Sequence, residues 1–543
     1  MKKIIALLLA ALLIASTCAF AMAEEPITIT VMGPQGTTRD WDATHVFQEL
    51  EKKFNVNFEV TTFADDVWKT QFTLMLAEDN LPDIFMQCDM NKAEINGYGE
   101  DGYFLDLSQY MDIMPSFAAF CESHPDFAAY TATAEGKIYS VNRCRDTVQS
   151  RQLSHNWIKK SWLENVNKEV PTTIEELYDV LVAFKEQDAN GNGDPNDEIP
   201  MAITIDGQSG QRVEFALKAA FGIYNVNHNF QLAADENGKV YLYETTENWK
   251  EYLTFMNKLY EEGLLDNEAF TMTTAEFRAK ASADQVGFFG DWSNLASCVG
   301  AADDFVNRDY ELIISFANKD SGLQTVSLYP NYTAGARLMV NALTEVPEKI
   351  CEIIDYLYSD EGIMLVNYGT EGVTFNYIED EFGNKAPDVT PYWQAMIDQY
   401  PTMSEWQQQY LYPNNVTSLV VYDYYSAVME DATDEELDAY IAYEGNPNYI
   451  RIATWEKAVR EADLLVDAFP FLAMTAEETD TLGTLTTDMA EYLKTMKAQF
   501  ITGEIDIETE WDNFQATLQG MGLETVLEVN QAAYDRFLAA MGD

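Results

Sequence analysis

The sequence predicts an α/β protein with more than one lobe, and three observations indicate this. Strand-like and helix-like segments alternate from residue 27 to residue 86. The 543 residues are too many for a single hydrophobic core, and the 47% that are hydrophobic suffice for two or three. Mixed helical and strand-like patterns then return between about residues 145 and 290, well beyond the first alternation.

The first alternation has the order strand, helix, strand, helix, strand. Residues 27–32 and 56–60 show the period-two pattern of a strand, and residues 81–86 form a short apolar strand. Apolar residues at helical spacing occupy residues 46–54 and 67–76. This order predicts parallel strands joined by helical crossovers, with ligands bound at the carboxyl ends of the strands.

Two groups of residues follow predicted strands, and the first of them lies at the expected binding edge and is therefore a candidate for ligand binding. Arg39, Asp40 and Trp41 come after the first strand and its turn. Asp291 and Trp292 come after the apolar residues 287–290, at a turn where both side chains are expected to be exposed. For Trp41, packing in the core remains an equal alternative.

An oxygen-rich loop at residues 188–198 predicts a structural calcium site. Side-chain oxygens recur at every second position, and the intervening glycines let the backbone coil tightly. The proposed ligands are Asp188, Asn190, Asn192, Asp194, Asp197 and Glu198. The loop departs from an EF-hand, because its twelfth position is Ile199 rather than glutamate. A polar turn that binds no metal remains the alternative.

The flanks of this loop predict a role in holding the fold together. Thr172 and Glu175 have the spacing of a capping box at the start of a helix that continues with apolar residues to Phe184. Residues 199–205 after the loop are short, apolar and strand-like. A bound ion would therefore fix a helix-to-strand connection, and nothing in the pattern indicates chemistry there.

The acidity of the chain excludes one class of partner. With 90 acidic and 33 basic residues, the formal net charge is −57. Phosphate binding needs clustered lysine and arginine, so nucleic acid is not expected as a partner. Long-range electrostatics should mildly favour neutral or cationic ligands.

The amino terminus predicts export. Residues 1–23 have the charged start, apolar run and small-residue cleavage pattern of a signal peptide, so the mature chain is expected to be extracellular or periplasmic. Cys18 leaves open attachment to the cell surface as a lipoprotein. Five cysteines remain after cleavage, either as one or two disulfides or as buried thiols. No zinc motif is present.

Several short motifs, weak singly but specific in their order and spacing, resemble extracellular solute-binding proteins of family 1. They cover nearly the whole mature chain and lie at residues 76–84, 102–108, 136–140, 157–163, 354–362, 367–373, 500–503 and 533–536. The sequence resembles in particular the calcium-containing branch of alginate-oligosaccharide binders and LipO-like receptors. Family members are the carbohydrate receptors of ABC importers.

The resemblance implies a periplasmic-binding-protein type II fold, with two α/β lobes, a hinge and a ligand cleft between the lobes. The N-terminal lobe should comprise residues 24–142 and about 330–370, and the C-terminal lobe residues 143–329 and about 371–543. The chain should cross between lobes near residues 142, 325–335 and 370.

The resemblance also implies a function without catalysis. The protein should bind a carbohydrate, an oligosaccharide in our interpretation, and deliver it as a monomer to the membrane permease of an ABC importer. Aromatic rings suit the apolar faces of sugars. The family's Gly-x-Trp turn often faces the ligand, so the resemblance makes Asp291 and Trp292 candidates for contact with the sugar. Further candidates are Trp157, Arg143, Tyr368, Glu371 and Trp393. The alternative is a secreted glycoside hydrolase, which would need two carboxylates flanking one bond.

Overall fold

The computed structural model describes residues 25–542 with internal gaps. The gaps are residues 35–39, 65–66, 79, 89, 146, 149–150, 152–154, 195, 206, 225–231, 292–308, 380–381, 413–418, 423 and 444–446. The predicted signal peptide, Cys18, Arg39, Trp292 and Cys298 therefore lie outside the described residues.

The first of two large sheets has six strands. In chain order they are β1 (Ile27–Pro34), β2 (Val56–Phe63), β3 (Ile84–Met86), β4 (Val141–Arg145), β12 (Tyr332–Val340) and β15 (Val420–Val421), and across the sheet the order is β15-β4-β12-β3-β1-β2. Strand β1 pairs in parallel with β2 and β3. Strand β12 is antiparallel to both β3 and β4, so those two strands point the same way.

The second large sheet has four strands. They are β5 (Asn156–Lys159), β6 (Ile199–Met201), β9 (Val286–Gly290) and β10 (Tyr310–Ile313), in the order β10-β5-β9-β6. Strand β6 is parallel to β9, whereas β5 is antiparallel to both of its neighbours. The strand predicted over residues 199–205 is shorter than expected, because the backbone turns where Gly207 N–H donates to the Thr204 carbonyl.

Three small sheets and many helices complete the described chain. The small sheets pair β7 (Leu232–Ala234) with β8 (Val240–Leu242), β11 (Thr325–Leu328) with β16 (Leu464–Asp467), and β13 (Asn376–Glu379) with β14 (Lys385–Asp388). The α-helices are His45–Phe54, Trp68–Glu78, Lys92–Glu100, Pro115–Ser123, Pro125–Thr131, Lys160–Asn165, Ile174–Glu186, Gln208–Ala220, Glu247–Glu261, Thr274–Ser282, Pro347–Leu357, Asp360–Tyr368, Thr390–Gln394, Met403–Trp406, Tyr424–Asp431, Asp434–Ala442, Pro447–Glu461, Ala476–Thr502, Ile507–Gly520 and Leu523–Met541. Among these described helices, none is both long enough and apolar enough to cross a bilayer.

Each large sheet has its own hydrophobic core. The first core packs the helices His45–Phe54 and Pro347–Leu357 against the first sheet. The second core packs the helices Ile174–Glu186 and Glu247–Glu261 around the second sheet. The last helix serves both, since its Val526 lies in the second core and its Phe537 in the first. Two sheets with separate cores confirm the predicted two-lobe α/β fold.

The order of the strands shows where the chain passes between the two large sheets. The chain leaves the first sheet after β4 for β5, and it returns before β12. Residues from 371 onward were assigned to the C-terminal lobe, whereas Val420–Val421 pair with Cys144–Arg145 in the first sheet. Residues 420–421 therefore still belong with the first sheet, because this short strand finds its backbone partners there. The rest of the predicted division stays a prediction.

The helix before the oxygen-rich loop begins one residue later than predicted. Its cap is Thr173, whose hydroxyl accepts a hydrogen bond from the Glu176 backbone N–H at 3.2 Å, while Glu176 accepts from Thr173 N–H. The predicted pair was Thr172 and Glu175. The same three-residue spacing occurs twice in succession here, and in the observed helix Ile174 and Leu177 lie in the core.

This register predicts the effect of a single substitution. Thr173→Ala should lower the free energy of unfolding by about 1 kcal/mol, because it removes one side of the capping box. Thermal unfolding measured by calorimetry would show the loss. Thr173→Ser keeps the hydroxyl and should restore most of the stability, so an equal loss in both variants would contradict the cap.

The four described cysteines outside the signal peptide are free thiols. Cys88, Cys144 and Cys351 are buried, and Cys121 is half-buried. Burial raises the pKa of the Cys88 thiol to about 12, which keeps it protonated and unreactive. Of the two alternatives left open by the sequence, these four residues follow the second, that of free thiols.

Candidate functional site

The carboxyl ends of the parallel strands meet at one edge of the first sheet, as the alternation predicted. Pro34, Met86 and Arg145 end β1, β3 and β4, and these three strands run in the same direction. Strand β15 runs parallel to β4 and ends at the same edge. In open α/β sheets, ligands bind beyond this edge. We call it the first-lobe edge.

Gln87, the residue directly after β3, has an unusual backbone conformation. Its φ of 52° lies in the left-handed region, and its N–H donates to the Arg337 carbonyl at 2.7 Å. Its side-chain amide oxygen is buried and has no hydrogen-bond partner among the described residues. Strained backbone and unpaired polar atoms concentrate at binding sites. Sequence analysis missed Gln87, because nothing in the sequence marks a glutamine for positive φ.

Trp41 lies beneath the first-lobe edge rather than on its surface. Only 1% of the residue is exposed, and its ring covers Gly33 so closely that a Cβ there would lie 2.2 Å from the indole. Glycine is therefore required at residue 33. The indole N–H is buried without a partner in the described part of the chain. Asp40 beside it is exposed.

The candidates on the second sheet are more buried than expected. Asp291 follows β9 and was predicted to be exposed, whereas the structure leaves none of it accessible. Its carboxylate accepts two hydrogen bonds from the Arg278 guanidinium, at 3.1 Å and 2.9 Å. Trp157 is 2% exposed and lies opposite Phe289 in the sheet, where it fills the core. Both residues pack the end of the second sheet in this structure.

Of the remaining candidates, Tyr368 and Trp393 belong to an aromatic cluster around Trp406. The Tyr368 hydroxyl accepts from the Tyr424 backbone N–H at 3.0 Å, and the Trp393 indole donates to the Tyr400 carbonyl at 3.1 Å. His45 of the first lobe lies against this cluster, since its ring stacks on that of Tyr410 with the ring centres 6.3 Å apart. Its Nε2 also lies 2.9 Å from the Thr370 hydroxyl.

Glu371 lies elsewhere, in a surface pocket. Its side chain is exposed and lines this pocket together with Lys52 and Lys53. These two lysines are at the carboxyl-terminal end of the helix His45–Phe54. Glu371 is therefore not grouped with the other predicted contacts.

The last candidate, Arg143, lies near three other arginines that the sequence analysis did not identify as candidates. We call Arg143, Arg145, Arg212 and Arg337 the arginine cluster. Arg143 and Arg145 are on β4, Arg337 is on β12, and Arg212 is on the helix Gln208–Ala220 of the second lobe. The guanidinium carbons of Arg145 and Arg212 lie 5.1 Å and 6.0 Å from the centre of the same ring, that of Tyr329.

Electrostatics shows that these arginines are close together and poorly solvated. Burial, followed by the charges of Arg337 and Arg145, lowers the pKa of Arg143 to about 10. Burial and the charge of Arg145 likewise lower the pKa of Arg337. Each positive charge thus disfavours its neighbour. The sequence held one signal for this cluster: Arg143 and Arg145 are two apart on a strand and so share a face.

The oxygen-rich loop brings its predicted ligands together in one turn. The side-chain oxygens of Asn190 and Asn192 accept from backbone N–H groups two residues on, at 2.9 Å and 2.8 Å. Their amide groups donate to Asp197 at 3.1 Å and 2.7 Å. The Asp194 carboxylate accepts from Asn196 N–H at 3.2 Å.

Two buried carboxylate oxygens test whether this loop suits a cation. Asp188 Oδ1 and Glu198 Oε2 are inaccessible and lack hydrogen-bond partners among the described residues. Buried anionic oxygens without donors are costly, and a calcium ion would satisfy both. In the described part of the chain, no three His, Cys, Asp or Glu side chains converge as a ready-made metal site. The loop therefore fits the ion by its donor atoms, with asparagine oxygens completing the set.

Comparison with known proteins identifies relatives along nearly the whole chain, although no protein-family model matches it. The sequence is 25% identical over 510 residues to FusA, the fructooligosaccharide ABC transporter substrate-binding protein of Streptococcus pneumoniae, covering 91% of this chain and 87% of FusA. The chain is a homologue of ABC-transporter substrate-binding proteins. Lipoprotein LipO of Bacillus subtilis is 26% identical over 394 residues, which are 70% of this chain and 75% of LipO.

Solved structures confirm the fold of the present chain. FusA in complex with kestose superposes with a TM-score of 0.69 at 23% identity, over 94% of this chain and 99% of FusA. An extracellular solute-binding protein from Bifidobacterium longum subsp. infantis gives a TM-score of 0.75 at 21% identity, over 95% and 99% of the two chains. FusA has also been solved as an EF-hand mutant. The resemblance stated from the sequence motifs is confirmed.

Proposed function

We propose that this protein is the extracytoplasmic receptor of an ABC importer and binds an oligosaccharide in the cleft between its lobes. The observation that carries the proposal is the similarity to FusA over 91% of the chain, which spans both lobes. The first-lobe edge supports it, since the strained Gln87 and the arginines Arg143 and Arg145 of β4 lie there. A concave site with a few converging polar groups is the usual form of a ligand site.

The two lobes suggest how the receptor works. Arg145 comes from the first sheet and Arg212 from a helix of the second lobe, yet both lie against the Tyr329 ring, just before the chain returns to β12. A ligand that touches both lobes stabilises the closed arrangement, because it binds that arrangement more tightly than the open one. The permease would recognise the closed form, and the receptor is expected to act as a monomer.

Export and the calcium loop complete the proposal. Residues 1–23 would be removed as the signal peptide, and Cys18 leaves lipid attachment open. LipO, one of the relatives, is a lipoprotein. The loop at residues 188–198 would hold a calcium ion through Asp188, Glu198 and the asparagine oxygens. The ion would tie the helix Ile174–Glu186 to β6 and take no part in binding sugar.

Binding without turnover is the expected result for this function. An oligosaccharide that binds should raise the midpoint of thermal unfolding. At one hundred times its Kd, it should stabilise the folded protein by about 2.7 kcal/mol. Small-angle scattering should show compaction at the same concentration. Chromatography of the mixture after long incubation should recover the oligosaccharide intact. Steady release of shorter sugars would instead support a glycoside hydrolase.

A further inference from the structure

The arginine cluster is the most unusual electrostatic feature of this acidic chain. It contains four of the eleven arginines in a protein with a net charge of −57. Elsewhere in the described chain, many basic side chains pair with carboxylates, as Arg278 does with Asp291 and Arg536 with Glu478. Charge compensation is therefore easy to obtain in this sequence, and its absence at the cluster needs a cause.

Three members of the cluster lack that compensation. Among the described residues, no carboxylate forms an ion pair with Arg143, Arg145 or Arg337, and none contributes to the electrostatic environment of their guanidinium groups. The Nε–H groups of Arg143 and Arg337 are buried without a hydrogen-bond acceptor in the same part of the chain. Burying like charges together costs free energy, and a bound anion would offset that cost.

The position of the cluster says where that anion binds. Arg143 and Arg145 are among the last three residues of β4, at the first-lobe edge, before the chain leaves the first sheet. Arg337 joins them through β12, opposite Gln87. The cluster therefore lies at the edge where the proposed function places the sugar, and Arg212 extends it to the second lobe.

We propose that the ligand of this receptor is an anionic oligosaccharide, whose acidic groups are bound by Arg143, Arg145 and Arg337. The proposal rests on the proposed function and adds the class of sugar. A planar guanidinium donates two parallel hydrogen bonds to a carboxylate, and it also suits the oxygens of a sulfate ester. The strongly negative net charge, from which the sequence analysis expected a mild preference for neutral or cationic ligands, opposes an anion only weakly. Local positive groups dominate binding at short range, while distant charges are screened by salt.

A set of defined oligosaccharides tests the proposal by titration calorimetry with the full-length mature protein. The set contains oligogalacturonides, the same oligomers as methyl esters, sulfated carrageenan oligosaccharides and neutral fructo-oligosaccharides. The methyl esters keep the sugar and remove only the charge. We expect at least one anionic set to bind, and esterification or 0.5 M salt to weaken the uronate by at least about tenfold. The carboxylate and sulfate arms show which acidic group is recognised.

Variants assign the binding to the arginines. Arg143→Gln and Arg337→Gln should each weaken binding of the anionic oligosaccharide by about 10- to 100-fold, as expected for loss of a charge-assisted hydrogen bond. Lys52→Gln removes the same charge from an exposed side chain and should leave the affinity unchanged. The unfolding midpoint of the ligand-free protein should rise or stay constant in both arginine variants, because repulsion is relieved. If an arginine served only to hold the fold together, its substitution would lower the unfolding midpoint.

The outcomes separate this inference from the function on which it rests. Tight binding of neutral fructo-oligosaccharides, with no response to uronates or sulfates, would overturn the anionic ligand and leave the receptor function standing. If oligogalacturonides bind, equal affinity for their methyl esters would also overturn it. Binding of none of these sugars, nor of any member of a wider glycan library, would count against the receptor function itself.

Discussion

Glu214→Ala is expected to destabilise the second lobe by about 3–5 kcal/mol. Glu214 lies on the helix that carries Arg212 and is 5% exposed at its side chain, between Lys218 Nζ at 3.1 Å and Lys497 Nζ at 2.6 Å. Removing the carboxylate leaves two ammonium groups close together and largely buried without their counter-ion. Urea unfolding followed by circular dichroism would measure the loss. The helix Ala476–Thr502, which carries Lys497, should be released first.

A surface pair provides the matched control. Glu508 accepts from Lys250 at 2.7 Å, but its side chain is 68% exposed. Glu508→Ala should therefore change the free energy of unfolding by less than about 1 kcal/mol, because water replaces the lost partner. Equal effects of the two substitutions would show that burial does not govern the strength of these ion pairs.

The same pair predicts how the stability depends on pH. The positive charges of Lys218 and Lys497 outweigh burial and lower the pKa of Glu214 from 4.5 to about 2. A carboxylate whose pKa is lowered by folding stabilises the protein above its unfolded pKa, and that contribution is lost as the pH falls. The difference in stability between wild type and Glu214→Ala should thus be constant above about pH 5 and shrink towards pH 2. A difference that grew on acidification would contradict the assignment.

Asp188→Ala is expected to abolish stabilisation by calcium. With the ion at one hundred to one thousand times its Kd, binding contributes about 3–4 kcal/mol, and the wild-type protein should lose this amount on chelation. The variant lacks the Asp188 carboxylate, whose buried Oδ1 is available to the ion. Its unfolding midpoint should therefore be the same with calcium and with chelator. Calorimetric scans with calcium and with EDTA would measure both effects.

An exposed aspartate on the preceding helix is the control for this substitution. Asp179 lies on the helix Ile174–Glu186 with its side chain in solvent, so Asp179→Ala makes the same change in charge outside the loop. It should keep the full response to calcium. Sugar binding should survive in both variants, since the loop is separate from the first-lobe edge. An unfolding midpoint of the wild-type protein that did not change on chelation would refute the calcium site.

Local patterns in the sequence were sufficient for the elements and the loop. The alternation over residues 27–86 predicted the parallel strands of the first sheet, since side-chain period and crossover geometry are local properties. The spacing of oxygens at residues 188–198 placed the candidate cation ligands in one turn for the same reason. The capping box was displaced by one residue because the sequence offers the same spacing twice, and only packing chooses between them.

Burial and convergence were decided by the tertiary structure. Asp291 looked exposed after its strand, but the approach of Arg278 from a neighbouring helix buries it in an ion pair. Arg145, Arg212 and Arg337 are scattered over almost 200 residues, and only strand order and the return of the chain between lobes bring them together with Arg143. The sequence alone determined the fold class and the acidity of this protein. The tertiary structure decided that four of its arginines lie together, because distances between remote residues depend on packing and not on local pattern.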